Sequence, residues 1–118
     1  MRLPYHARSY FSIVAAGYQV FHCLIPLGYA ITNGAFNFRF QAVYLGQLVI
    51  STIFLVLMVR GLKWAYVVFF ALNAIHLGEL IVETGFARHG YNYLMVALTG
   101  FGLFNRIAKE KELRERLP

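Results

Sequence analysis

The sequence predicts an all-α integral membrane protein: a bundle of four antiparallel transmembrane helices with both chain ends in the cytoplasm. Three observations lead to this prediction. Of the 118 residues, 59 % are hydrophobic and 14 % are charged, a balance too apolar for an ordinary soluble domain of this length. The hydrophobic residues form four long runs, and about 20 apolar residues suffice to cross a bilayer. Lys and Arg lie mostly at one set of run ends, which the positive-inside rule assigns to the cytoplasm.

The first span is predicted at about residues 10–32, after a short basic and aromatic segment. Gln19 and His22 lie one turn apart on one face of this helix. Pro26 has no N–H to donate, so a kink is expected in the last part of the span. Asn33 and the residues after it then have the composition of a turn.

The second and third spans are predicted at about residues 40–59 and 64–86. A short basic turn, residues 60–63, connects them. Gln47 lies inside the second span. The third span is long enough to cross a bilayer and carries its ionisable groups within an otherwise apolar run, where such groups are rare and costly.

The fourth span is predicted at about residues 91–107, and residues 108–118 are expected to continue as a cytoplasmic helical tail. Ala97, Gly100 and Gly102 are small enough to allow close contact with another helix. In the tail, Glu110 precedes Arg114, and Glu112 precedes Arg116, by four residues. Acid-first pairs at this spacing stabilise a helix in water. The whole chain, 1–118, is treated as one domain.

The orientation follows from the basic residues. With four crossings, the N-terminus, the 60–63 turn and the C-terminus share one side of the membrane, and that side has nine of the eleven Lys and Arg residues. The nine are Arg2, Arg8, Arg60, Lys63, Arg106, Lys109, Lys111, Arg114 and Arg116, and the two on the opposite side are Arg39 and Arg88. The membrane is expected to be a bacterial inner membrane or the endoplasmic reticulum.

Polar residues at membrane depth form the candidate site. On an α-helix, His76, Glu79 and Glu83 fall within roughly 60° of one another, with Asn73 at the edge of this stripe. Each central carboxylate costs about 2.5–3.5 kcal/mol on insertion, so a partner is expected for it. The predicted intramembrane cluster comprises Gln19, His22, Gln47, Asn73, His76, Glu79 and Glu83. Glu83 is close enough to the interface to pair with Arg39 or Arg88.

Two interpretations of this cluster remain open. In the first, the polar side chains hydrogen-bond one another and join the helices. In the second, the cluster of His22, His76 and Glu79 handles a ligand. His22 and His76 could ligate haem b, or His76 and Glu79 could act in proton or lipid transport or in chemistry on a lipid. No metal site is expected, because a di-metal bundle needs acids on further helices.

The stretch from His76 to Leu80, with the pattern H-x-x-E-L, resembles the membrane scaffold proteins of ergosterol biosynthesis. These are small four-span proteins with a similar stretch in the third span. Gln41-Ala42 at the start of the second span and the basic turn before the third are also similar, so the resemblance covers about residues 41–103. It implies a non-catalytic protein that tethers membrane enzymes, with His76 and Glu79 as the residues carried over. The first span has no counterpart in the resemblance.

The expected function is therefore that of a small non-enzymatic membrane protein, a scaffold or an accessory subunit of a membrane complex. Its expected partners are membrane lipids and other membrane proteins or further copies of itself. Nucleic acid is not expected as a partner, because no segment supplies a basic face on a folded domain. The alternative is a ligand-handling membrane protein that uses His22, His76 and Glu79.

Overall fold

The structure is a computed structural model that describes residues 6–34, 37–87 and 89–116. Within these ranges the chain forms four α-helices and no β-strand, which confirms the all-α prediction. The helices are α1 (Tyr10–Thr32), α2 (Phe38–Val59), α3 (Lys63–Thr84) and α4 (Gly90–Arg116). Arg2 and Arg88, both used in the charge count above, lie outside the described residues.

Three helices are long and apolar enough to cross a membrane: α1, residues Gln41–Val59 of α2, and α3. The helix α4 is longer than any of these but is not among them. Its apolar stretch is short, because Asn92 precedes it and Asn105 and Arg106 follow it. The structure therefore supports a membrane protein with three clearly apolar candidate spans and a more polar fourth helix.

Local chemistry explains where the helices begin and end. The Asn37 side chain accepts a hydrogen bond from the Arg39 backbone N–H at 2.9 Å, which caps the first turn of α2. Gly61, between α2 and α3, has a φ of 79°, and Gly85, directly after α3, has a φ of 83°. Glycine adopts this left-handed backbone without the cost that a Cβ adds. Pro26 does not end α1, which continues to Thr32.

The buried core has only small residues on α1 and mostly larger ones on the other helices. Its members are Ala15, Ala16, Met58, Ala65, Tyr66, Phe69 and Met95. The helix α1 packs against α2 and α4, and α3 packs against α4, whereas α2 and α3 contact each other sparsely. The gap between α2 and α3 contains the polar site described below.

The helices α1 and α4 approach each other closely at Gly102. A Cβ added to Gly102 would lie 2.7 Å from the backbone nitrogen of Ser12 and would also overlap the Ser12 side chain. The ring of Phe70 of α3 lies 3.3 Å from the position that a Cβ on Gly100 would take. Two of the small residues noted in the fourth span are thus at helix contacts, where they let α4 approach its neighbours.

Candidate functional site

A chain of side-chain hydrogen bonds joins α1, α2 and α3. The Ser51 hydroxyl of α2 donates to Gln19 Oε1 at 3.0 Å, and Gln19 Nε2 of α1 donates to Asn73 Oδ1 of α3 at 3.2 Å. Asn73 Nδ2 donates in turn to the carbonyl oxygen of Phe69, one turn earlier, at 2.9 Å. Ser51 and Asn73 are buried, so these bonds satisfy polar groups that an apolar interior would otherwise leave unpaired.

A cleft of about 190 Å³ lies beside this network, in the gap between α2 and α3. Its polar lining is contributed by all three helices that the network joins, and Ile50 and Leu72 are among its apolar residues. The polar lining residues are Gln19, Gln47, Ser51, Asn73 and His76. Four members of the predicted cluster therefore meet here. Ser51 is an addition, which its position one turn after Gln47 could have indicated.

The Gln47 amide nitrogen and the His76 ring lie at this cleft without a hydrogen bond to another described residue. Gln47 Oε1 accepts a bond from the Cys23 thiol, with a donor–acceptor distance of 3.6 Å. Among the described residues, neither Gln47 Nε2 nor the His76 ring takes part in a hydrogen bond. The His76 side chain is exposed at the edge of the cleft. The cleft thus offers polar groups to whatever occupies it.

The structure separates His22 from this group. Its ring stacks on Tyr91 of α4, with centroids 4.3 Å apart and an interplanar angle of 21°, and Tyr18 is also close, at 6.4 Å. Gln19 and His22 are three residues apart, which turns His22 about 60° around the helix from Gln19. Since Gln19 faces the cleft, His22 is directed toward α4 instead. The predicted single cluster is thus divided, and the two histidines have different surroundings.

Glu79 and Glu83 lie on the outside of the bundle. Both side chains are exposed, and neither makes a hydrogen bond or ion pair with another described residue. Arg39, one of the two partners expected for Glu83, makes no ion pair in the described part of the chain, and Arg88 lies outside it. The predicted network therefore does not extend to either carboxyl group.

Glu79 belongs to an exposed stripe along α3, which we call the outer face. Its residues recur at alternating intervals of four and three, as in the contact line between two packed helices. They are Val68, Leu72, Ile75, Glu79 and Val82, all of them exposed. Ile75 is 60 % exposed and Val82 is 87 % exposed. The described residues leave Ile75 and Val82 mostly uncovered, whereas Val68 and Leu72 are each less than half exposed. The opposite side of α3 has the core residues Tyr66 and Phe69.

A second polar cluster, which the sequence analysis missed, surrounds Arg106 of α4. Among the described residues, Arg106 has the largest of the fully buried side chains. This side chain is only 2 % exposed. Its Nε donates to the carbonyl oxygen of Gly61 at 2.9 Å, and its Nη1 pairs with Glu110 at 2.7 Å. A single arginine at the end of an apolar run gives no sign in the sequence that it turns inward.

Further contacts join the segment before α1 to this region. The Tyr66 hydroxyl accepts a bond from the Ser9 backbone N–H at 2.8 Å and donates to the carbonyl oxygen of Met58 at 2.8 Å. Lys109 Nζ donates to the carbonyl oxygen of Arg8 at 3.0 Å. We call the whole set, Arg8, Ser9, Gly61, Tyr66, Arg106, Lys109 and Glu110, the terminal clasp.

Glu110 supplies the negative charge of the terminal clasp. Besides Arg106 it pairs with Arg114 at 2.8 Å, and Lys63 lies 3.9 Å away. The hydrogen bond from Arg106, followed by the positive charges of Arg106, Lys63 and Arg114, lowers the pKa of the Glu110 carboxyl against the opposing effect of its burial. The two predicted tail pairs, Glu110–Arg114 and Glu112–Arg116, are both present.

No group of three or more His, Cys, Asp or Glu side chains in the described ranges is arranged to hold a metal ion. Comparison with protein-family models, curated proteins and solved structures finds no match to this chain. What it does must therefore be argued from the chain's own residues.

Proposed function

We propose that this chain is a small non-enzymatic integral membrane protein that acts as a scaffold or accessory subunit of a membrane complex, and that the outer face of α3 contacts the partner. The observation that carries the proposal is Glu79, a carboxyl group on an exposed apolar stripe with no polar partner among the described residues. It lies five residues before the end of α3, about 7.5 Å along the helix axis.

Contact with lipid alone would leave this carboxyl group in a costly environment. Placing an acid within the hydrocarbon region costs about 2.5–3.5 kcal/mol, and polar residues there usually pair with one another or face a protein interior. A partner helix packed along the outer face would supply hydrogen-bonding groups to Glu79. It would also cover Ile75 and Val82 with side chains that fit the alternating spacing of the stripe.

The proposal includes four antiparallel crossings with both chain ends in the cytoplasm. Two long-range contacts support this topology: the bond from Lys109 Nζ to the Arg8 carbonyl oxygen and the bond from the Ser9 N–H to Tyr66. They bring the segment before α1, the start of α3 and the far part of α4 together. If α1, α2 and α3 each cross the bilayer, α4 must cross it as well to reach this position.

The modest hydropathy of α4 is compatible with a fourth crossing. Met95, Thr99, Gly102 and Arg106 are buried against the rest of the bundle, so lipid contacts only part of this helix. Thr99 donates its hydroxyl to the Met95 carbonyl oxygen at 2.7 Å, which removes a polar group from lipid contact. A bacterial inner membrane or the endoplasmic reticulum remains the expected location.

The resemblance of the His76–Leu80 stretch to the ergosterol scaffold proteins points to the same class of function. In this proposal the partner is another membrane protein or a second copy of the chain. Each would present a spanning helix with a group able to hydrogen-bond the Glu79 carboxyl.

A ligand-handling function is the second candidate, and the cleft that contains His76 is the observation that favours it. The haem form of this idea is the weakest, because His22 stacks on Tyr91 while His76 lines the cleft between α2 and α3. Lipid or proton handling would use His76, which borders the cleft, with Glu79 less than a full turn further along α3.

Site-specific photo-crosslinking tests the partner proposal. A photoreactive residue at Ile75, on the outer face, should crosslink to one defined protein in the native membrane. The matched control is the same residue at Phe101, which is 64 % exposed on α4 and should give no such product. A product of twice the chain's mass would identify a second copy as the partner. Crosslinking to lipid alone from both positions would refute the proposal.

A further inference from the structure

We propose that the cleft between α2 and α3 binds the ring of a membrane-soluble molecule bearing carbonyl oxygens, such as the head group of a prenylated quinone. The observation is the set of hydrogen-bonding groups that the cleft still has free. This inference uses the membrane location but does not require the partner on the outer face.

Which atom donates and which accepts in each hydrogen bond of the network determines the polar groups of the cleft that remain free to bind a ligand. The carbonyl oxygens of Gln19, Gln47 and Asn73 already accept bonds, from Ser51, Cys23 and Gln19 respectively. Each amide also has two N–H groups. Gln19 and Asn73 use one each, and Gln47 uses neither within the described part of the chain. Together with the His76 ring, the cleft is therefore rich in hydrogen-bond donors.

A donor-rich cleft selects a ligand that accepts hydrogen bonds. The ligand should be uncharged, because no Lys or Arg lines the cleft to balance an anion. A carbonyl oxygen meets both conditions, since it accepts hydrogen bonds and cannot donate them.

The size and position of the cleft limit the ligand further. A volume of about 190 Å³ is below the range of about 300–1,000 Å³ typical of sites that enclose a drug-sized molecule. It suits one substituted ring, with the remainder of the molecule outside. The sparse contact between α2 and α3 leaves this side of the bundle open. A ligand dissolved in the membrane can enter there and leave an apolar tail along Ile50 of α2.

The test uses the full chain in lipid nanodiscs and a photoreactive benzoquinone with a decyl tail. Labelled peptides are identified by mass spectrometry, and unlabelled decyl-benzoquinone is the competitor. We expect saturable labelling at the cleft segments, namely Gln19, residues 47–51 and residues 69–76. It should be competed by the quinone but at least about tenfold less effectively by decylbenzene, which has no carbonyl group.

Variants locate the binding groups. Gln47→Leu and His76→Leu should each weaken labelling by about tenfold, whereas His22→Leu, which removes an imidazole outside the cleft, should leave it unchanged. If Gln47→Leu fails to fold, Gln47→Asn is used instead. Asparagine keeps the amide group but holds it one methylene further from the cleft.

Three results would overturn the proposal: equal competition by decylbenzene, labelling only outside these cleft segments, or equal loss in His22→Leu. The crosslink from Ile75 is measured in a separate experiment. The partner proposal and the ligand proposal can therefore be refuted independently of each other.

Discussion

Arg106 of α4 donates a hydrogen bond from Nε to the carbonyl oxygen of Gly61, in the turn between α2 and α3, at 2.9 Å. The guanidinium group is almost fully buried, and Glu110 neutralises it from one helical turn away. This relationship joins the most polar helix of the protein to the connection between two of its most apolar ones. It also explains how α4 can end an apolar stretch with an arginine and still pack inward.

Replacing Arg106 should destabilise the bundle strongly. Arg106→Leu leaves the Gly61 carbonyl oxygen and part of the Glu110 carboxylate without a partner. Leaving a buried hydrogen-bonding group without its partner costs about 1–3 kcal/mol, while Glu110 keeps its pair with Arg114. The matched control is Arg114→Leu, because Arg114 also pairs with Glu110 but is 66 % exposed, and exposed pairs contribute about 0–1 kcal/mol. Unfolding titrations in mixed micelles measure both, and equal effects would show that the burial of Arg106 has no energetic importance.

The terminal clasp should also make stability depend on acid. Because folding lowers the pKa of Glu110, its stabilising effect is fully present above the pKa of an unfolded Glu, about 4.3. This effect is lost as the pH falls through the lower folded pKa. The midpoint of thermal unfolding should therefore decrease below about pH 4, and Glu110→Gln should reduce this decrease.

Glu115→Gln is the control for the acid dependence. Glu115 lies in the same tail, is exposed, and makes no ion pair with a described residue. Its replacement should leave the pH profile of the unfolding midpoint unchanged. A profile that shifts equally in the two variants would assign the acid dependence to general charge and not to the clasp.

The contact between α1 and α4 should not tolerate a methyl group at residue 102. Gly102→Ala places its Cβ against the Ser12 backbone, and overpacking of this kind costs about 1–3 kcal/mol. Gly28→Ala, also within a helix but with no neighbouring atom within 4 Å of the new Cβ, should be neutral or stabilising by up to about 1 kcal/mol. Removing the Ser12 hydroxyl should not rescue Gly102→Ala, because the backbone nitrogen still blocks the methyl group. Unfolding free energies of the three variants test this, and full rescue would contradict it.

Asn73 and Glu79, both polar residues of α3, should respond differently to substitution. Asn73→Leu breaks the bond from Gln19 and should lower stability by about 1 kcal/mol, as interhelical hydrogen bonds in membranes do. Glu79→Gln should change the stability of the isolated chain by less than about 0.5 kcal/mol, because no described residue bonds the carboxyl group. The same Glu79→Gln change should weaken the crosslink from Ile75. A large loss of folded protein in Glu79→Gln would show that the carboxyl group has a partner within the chain.

The helices could be predicted closely, and the candidate site only in part. The helix α1 has the predicted limits, and α3 ends at Thr84, two residues before the predicted limit, because Gly85 leaves the helical conformation. Gln19, Gln47, Asn73 and His76 line one cleft. His22 does not, because the rotation of α1 that directs Gln19 into the cleft directs His22 toward Tyr91. Nothing in a linear pattern specifies that rotation.

The sequence by itself determined the all-helical class with long apolar helices, because the length and composition of the apolar runs can be read directly along the chain. The tertiary structure alone decided which polar residues meet. Gln19 lies 32 residues before Ser51 and 54 residues before Asn73. Only the packing of the helices brings these three residues together. The same packing buries Arg106 and leaves Glu79 outside, since the direction of a side chain depends on the helices that surround it.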